Sequence, residues 1–475
     1  MTVLHVVSTP DADELVFLPL GGTGEIGMNL NLYGHAGKWL MVDLGVMFRD
    51  KSSFELDVIM ADPGFISERR DDIVGLVLTH AHEDHIGAVP YLWTQLRCPI
   101  YATPFTASLV ARKLREAGLA KKAKITEVPM SGKFDVGPFS IELVTLTHSI
   151  PEPNAVVIRT SLGTVVHTGD WKLDPGPLVG PSVDEEALIN IGKSGVLATV
   201  CDSTNALVKG RSGSEANLRR SLVDIIGRFE QRVAVGCFAS NVARLETLAI
   251  AAEANGRYAA LVGRSLWRMY DAARENGYLT DIPDFLTPKE AGYLPREEVL
   301  LICTGSQGEA RATLPRVAAG RHPEITLEKG DATIFSSRII PGNEESIERL
   351  QVRLMEMGVD VVTAEDEFVH VSGHPARDEL RQMYEWLRPR IAIPVHGEHA
   401  HLDAHAILAR DCHVPNVLRI ENGDMVKLAP GRAHIVGKVR SGRLGIERGE
   451  LIQLEPGAVP SHKKTRRVDV AMAGE

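Results

Sequence analysis

The chain has 475 residues, 44% of them apolar and 24% charged, with a formal net charge of −10. That length supports two or three domains with sizeable cores, and the balance is ordinary for a soluble globular protein. No apolar run is long enough to span a bilayer, which excludes a membrane-spanning helix, and the acidic charge argues against indiscriminate coating of nucleic acid.

The first fifteen residues have neither a basic start nor a long apolar stretch, so a secretory leader is not expected. Cys98, Cys201, Cys237, Cys303 and Cys412 are scattered and odd in number. They read as reduced thiols of a cytoplasmic protein, without a disulfide frame or a cysteine metal site.

Residues 16–20 read as a strand, followed by Gly22-Thr23-Gly24-Glu25-Ile26-Gly27, a G-x-G-x-x-G match. Asp43 falls where a ribose-binding acid would stand. A dinucleotide site needs a helix opening directly after the glycines. Here Met28, Leu30 and Leu32 alternate with Asn29, Asn31 and Tyr33, which is strand periodicity. The match is therefore a decoy. A second strand, 38–42, ends at Asp43.

The apolar run 73–78 leads into Thr79-His80-Ala81-His82-Glu83-Asp84-His85-Ile86-Gly87. His80 and His82 are two apart and project to one side of an extended loop, while Asp84 and His85 point elsewhere. The spacing suits two ions side by side. Imidazole with carboxylate favours zinc or manganese over calcium. A polar turn that happens to be rich in histidine is the bland alternative, and such clustering is rare without a metal.

Helices are expected over 88–96 and 104–118. His148 ends the run 141–147, Asp170 closes 164–169, and His396 ends 391–395. With Asp43 and His80, five donors each sit just past an apolar strand, which suggests one site collecting them from several strands. His167, inside its strand, reads as structural. From about 205 the pattern changes to strands at 232–238, 258–262, 300–303 and 332–335, each followed by a small polar turn and a helix. That is a parallel α/β unit. Its Gly-, Ser- and Asn-rich turns serve either as helix caps or as phosphate-facing backbone. After a strand at 359–363 come His370-Val371-Ser372-Gly373-His374, a helix over 376–387 and the strand ending at His396. The first pattern has resumed, so the central unit is an insertion. Short strands with turns at 422–423 and 430–431 follow, and the basic run 462–467 reads as a solvated tail.

Beyond the metal loop stand Cys201-Asp202-Ser203-Thr204-Asn205-Ala206, TGSQGE at 304–309, SSRIIPGNE at 336–344, HVSGH at 370–374 and PVHGE at 394–398. With the loop, these resemble the metallo-β-lactamase superfamily in its β-CASP branch of nucleases, and are most similar to the ribonuclease J family. The resemblance implies an α/β fold: a metallo-β-lactamase αββα sandwich with an inserted parallel α/β (β-CASP) domain. It divides the chain into the sandwich at 1–207 and 359–448, the insertion at 208–358, and a linker or the start of a shortened C-terminal domain at 449–475. One metal would take His80, His82 and His148, the second Asp84, His85 and His396, with Asp170 bridging and Asp43 behind them orienting the loop. Asp202 and His374 match the acid–histidine pair opposite the metals, and Pro375 stands where the family usually has alanine. His370, Ser372 and Ser240 fall among expected contacts to RNA phosphate.

The function implied is hydrolysis of RNA phosphodiesters with two zinc ions (manganese or magnesium in their place). The catalytic set is His374, Asp202 and Asp84. The enzyme would be a 5′-to-3′ exonuclease preferring 5′-monophosphate ends, with some endonuclease cutting, in RNA maturation and mRNA decay. Implied partners are single-stranded RNA, further copies of the chain in a homodimer or homotetramer, and an RNA-decay complex, with no membrane. The rivals are a DNA-processing β-CASP nuclease, a small-molecule metallo-hydrolase on the same scaffold, and an RNA-binding scaffold without chemistry.

Overall fold

Along the strand Phe139–Thr145, Phe139, Ile141 and Leu143 turn to one core while Val144 turns to another. The neighbouring Asn154–Thr160 does the same, with Val156 and Ile158 on the first side and Ala155 and Val157 on the second. A strand buried on both faces belongs inside a layered sheet, and each such side chain contributes about 1.5–3 kcal/mol by leaving water. The computed structural model describes residues 10–47, 58–340, 342–447 and 449–454. The basic run 462–467 lies outside them.

Two large sheets face each other. One has eight strands, with Leu15–Gly21, Leu30–His35, Lys38–Val42 and Ile73–Val77 at its centre, and the other has seven. Phe17, Tyr33, Leu40 and Val77 from the first meet Ile141, Val156, Val200 and Ile393 from the second in a shared core. Helices Val89–Leu96 and Pro104–Glu116 cover the outer face of the first sheet. Glu185–Ser194, Arg377–Leu387 and His399–Asp411 cover that of the second. This is an αββα sandwich. His167 is structural, as expected: its Nδ1 lies 3.0 Å from the Tyr33 hydroxyl between the sheets.

Strand direction places the donors. Lys38–Val42 and Ile73–Val77 run parallel, and so do Gly163–His167, Ala198–Asp202 and Ile391–Val395. Asp43, His80, Asp170, Asp202 and His396 therefore all emerge at C-terminal strand ends. The central unit has its own five-stranded sheet, every pairing parallel, in the order Tyr258–Val262, Val299–Cys303, Val233–Gly236, Ala332–Phe335, Asp360–Val362. The insertion therefore runs past the expected boundary at 358/359, because its last strand completes this sheet. Its strands are near-continuous apolar runs because both faces are covered. The last described strand, Glu450–Leu454, pairs with Arg443–Glu447, which pairs in turn with Ile59–Ala61. The expected division at 448/449 thus falls within a hairpin. Among the described residues no helix is long and apolar enough to cross a membrane.

Candidate metal centre

His80, His82, His148 and Asp170 bring one ligand atom each within 4.8 Å of one another, and Asp84, His85, Asp170 and His396 form a second such set. Asp170 belongs to both, as a bridging carboxylate must. Its Oδ2 lies 3.1 Å from His85 Nε2, 3.5 Å from His396 Nε2 and 3.7 Å from His80 Nε2. All seven residues named from the sequence as ligands converge.

Hydrogen bonds behind the rings decide which nitrogen each presents. Thr79 Oγ1 donates to Asp43, so it accepts from His80 Nδ1 at 3.0 Å. His85 Nδ1 donates to Asp43 Oδ2 at 2.7 Å. His148 Nδ1 donates to the Gly373 carbonyl at 2.5 Å, and His396 Nδ1 to Asn29 Oδ1 at 3.1 Å. With Nδ1 engaged in all four, each of these rings turns its Nε2 to the centre. The ring nitrogens crowd: His82 Nδ1 stands 3.1 Å from His80 Nε2 and 3.0 Å from His148 Nε2. Asp170 Oδ1 and His396 Nε2 are buried without a hydrogen-bond partner among the described residues. Converging ring nitrogens and orphaned buried acceptors fit a pair of cations.

Titration agrees. Burial, then the charge of His85, holds His80 well below the usual histidine range, and burial pushes His82 down to about 4. Burial and the neighbouring His82 and His374 do the same to His148. Neutral imidazoles are the form that binds metal. Asp43 and His396 hold backbone φ of +64° and +52°, in the left-handed region that non-glycine residues rarely adopt.

A third grouping adjoins the first two. His374 Nδ1 donates to Asp202 Oδ2 at 2.8 Å and lies 3.9 Å from Asp170 Oδ2. Asp202 is fixed from its other oxygen by the Thr204 N–H at 2.8 Å. Burial opposes a charge on His374, but the Asp202 and Asp170 carboxylates outweigh it and lift the ring to about 9. Cations beside it would draw that value back toward neutrality. Pro375 is buried and leaves His374 on Asp202.

The HVSGH motif owes its glycine to contact. A Cβ at Gly373 would stand 2.6 Å from His148 Cε1, so only glycine lets its carbonyl reach that ring. Ser372 Oγ accepts from Asn205 Nδ2 at 2.8 Å and from the His374 N–H at 3.2 Å. His370 Nδ1 is buried without a partner among the described residues. Ser240 sits in the turn opening helix Val242–Ala254, outside the converging donors. The neighbouring Asn241 side chain caps that helix through the Arg244 N–H at 2.9 Å, so this turn carries a cap.

Sequence reading misses two contributors. Asn29 and Asn31, read as the polar side of an alternating strand, are 3% and 2% exposed, and Asn29 touches the centre. His405, fully buried, links Ser203 Oγ at 2.8 Å to the Tyr384 hydroxyl at 2.9 Å behind Asp202. Neither lies near a recognisable motif partner in the chain. Only an asparagine opposite apolar neighbours hints at the first.

Three family models match: the metallo-beta-lactamase superfamily over 27–198, the ribonuclease J beta-CASP domain over 230–354, and the Zn-dependent metallo-hydrolase RNA specificity domain over 358–417. Similar proteins include a ribonuclease J of Sinorhizobium meliloti, 48% identical over 91% of this chain and 77% of that protein. A ribonuclease J of Mycolicibacterium smegmatis is 44% identical over 90% and 77%. The ribonuclease J 1 of Streptococcus pyogenes is 38% identical over 90% and 76%. A crystal structure of a protein of unknown function from Enterococcus faecalis V583 shares the fold, with a TM-score of 0.60 and 15% identity over 87% of this chain and 100% of that one.

Proposed function

Since the chain belongs to the ribonuclease J family and is a metal-dependent ribonuclease with a metallo-β-lactamase fold and a β-CASP insertion, we propose that it is a two-zinc 5′-to-3′ exoribonuclease. It prefers 5′-monophosphate ends and makes some internal cuts. The observation that carries this is the pair of donor sets sharing Asp170, with His80, His85, His148 and His396 each turning Nε2 inward.

When bound, the ions supply Lewis acidity at the phosphoryl oxygens and an activated water for in-line attack. The side chains do the rest. His80, His82 and His148 would hold the first ion, Asp84, His85 and His396 the second, and Asp170 both. Asp43, by accepting from Thr79 and His85, keeps the loop in register. As the bond from phosphorus to the 3′ oxygen breaks, His374 gives its proton to that oxygen as general acid, and Asp202 steadies the ring. The products are a 5′ phosphate and a 3′ hydroxyl. His370 and Ser372, in the same motif as His374, would bind a backbone phosphate.

One RNA carrying a 5′ triphosphate, monophosphate or hydroxyl end tests this, digested with and without chelator beside single-stranded DNA of the same sequence. Mononucleotides released fastest from the monophosphate end, only without chelator and only from RNA, are expected. Equal rates from all three ends would refute the end preference. Faster cutting of the DNA would refute the substrate.

A further inference from the structure

The Gly-rich stretch 21–27 supplies none of the seven converging donors, and no helix follows it to bind a nucleotide. Its course is nevertheless fixed against the centre. Thr23–Gly24 pairs in parallel with Gly397–Glu398, and the His396 N–H donates to the Gly22 carbonyl at 2.6 Å. The chain then turns back and delivers Asn29, whose N–H donates to the Asp84 carbonyl at 3.1 Å.

The Asn29 carboxamide reaches three residues of the second donor set. Its Oδ1 accepts from His396 Nδ1 at 3.1 Å. Its Nδ2 donates to the Asp84 carbonyl at 3.0 Å and lies 3.2 Å from His85 Nε2. Asp84 and His85 come from the metal loop, whereas His396 follows a strand of the opposite sheet. One side chain thus joins the two halves of that set. Gly22 is what admits it: a Cβ there would stand 2.2 Å from Asn29 Oδ1.

We infer that Asn29 is a positioning residue for the second ion, seated by Gly22: it fixes the tautomer and plane of His396 and ties that ring to the loop carrying Asp84 and His85. The inference rests on the two-metal reading above. Outer partners of metal-binding histidines govern ring orientation and are typically worth about 10–100-fold in metal affinity. Asn29 makes no contact with His80, His82 or His148 among the hydrogen bonds described, so the first ion should not depend on it.

The test is zinc titration of the full chain against a competing chelator, for the wild type, Asn29→Leu, Asn29→Asp and Gly22→Ala, with thermal melts alongside. Leucine keeps the volume and removes both hydrogen-bonding ends, while aspartate keeps an acceptor for His396 Nδ1. Two ions in the wild type are expected. Asn29→Leu should keep the first and bind the second about 10–100-fold more weakly, Asn29→Asp should fall between, and Gly22→Ala should follow leucine. Unchanged affinity for both ions in Asn29→Leu overturns the inference. Loss of both ions together with a collapsed melt also overturns it, since that is a general structural role. Fewer than two ions in the wild type overturns the two-metal reading itself, and the inference with it.

Discussion

Gly373→Ala isolates the contact that joins the HVSGH motif to the first donor set. The added methyl would stand 2.6 Å from Cε1 and 2.7 Å from Nδ1 of His148, against an ordinary contact of 3.4–4 Å. Gly373 is not among the positive-φ residues, so alanine meets no backbone penalty and the contact alone is tested. His148 has little room to retreat, since its Nε2 already stands 3.0 Å from His82 Nδ1. Overpacking of this kind costs about 1–3 kcal/mol. Prising the carbonyl from Nδ1 leaves a buried donor unpaired at about 1–3 kcal/mol more. Because a tilted ring misaims its Nε2, affinity for the first ion should fall about 10–100-fold. Zinc competition and urea melts read the two effects, and single-turnover cleavage at saturating zinc reads the remaining loss. Wild-type zinc affinity with an unchanged melt would refute the close approach and the tautomer argument built on it.

His374→Ala should retain both ions yet slow single-turnover cleavage by roughly a hundredfold or more, the usual worth of a general acid, and full activity would remove this ring from the mechanism. Stripping the metal should lower the melting temperature, because ions at a hundredfold excess over their Kd add about 2.7 kcal/mol per site; a melt indifferent to chelator would contradict the two-metal reading of the converging donors. Burial holds His405 down at about 4, below its unfolded value of about 6.5. Below that unfolded value the unfolded chain binds a proton that the folded chain refuses. This contribution is therefore whole above about pH 6.5, is lost as pH falls to about 4, and amounts to about 3 kcal/mol. His405→Gln, melted in chelator across this range, should lose less stability on acidification than the wild type, and parallel curves would refute the assignment.

The alternation of apolar residues makes the sandwich strands legible, and strand-turn-helix repetition does the same for the inserted sheet. The metal loop is legible because its donors are adjacent in the chain. His148, Asp170 and His396 stand out for a related reason: each interrupts the pattern at the end of an apolar run. The G-x-G-x-x-G stretch misleads only as far as its letters, since the strand periodicity after it already rules out a nucleotide site. What that same periodicity hides is Asn29. A polar residue alternating with leucines reads as solvent-facing, yet this one is buried because the second sheet brings His396 against it. His405 is hidden likewise, on a helix that packs behind Asp202.

By itself the sequence picks out the donors, the pairing of His80 with His82 and of Asp84 with His85, and alternating α/β layers, because these follow from local chemistry and from period along the chain. The full ligand sets and the αββα sandwich are implied by the family resemblance. Tertiary structure alone decides which ring nitrogen faces the centre, why Gly373 and Gly22 must be glycine, and what Asn29 does. Those depend on hydrogen bonds and close approaches that form only once the chain is folded. Some of them, such as Asn29 with His396 and Gly373 with His148, join segments hundreds of residues apart, where contact is set by how two sheets pack and not by any spacing in the chain.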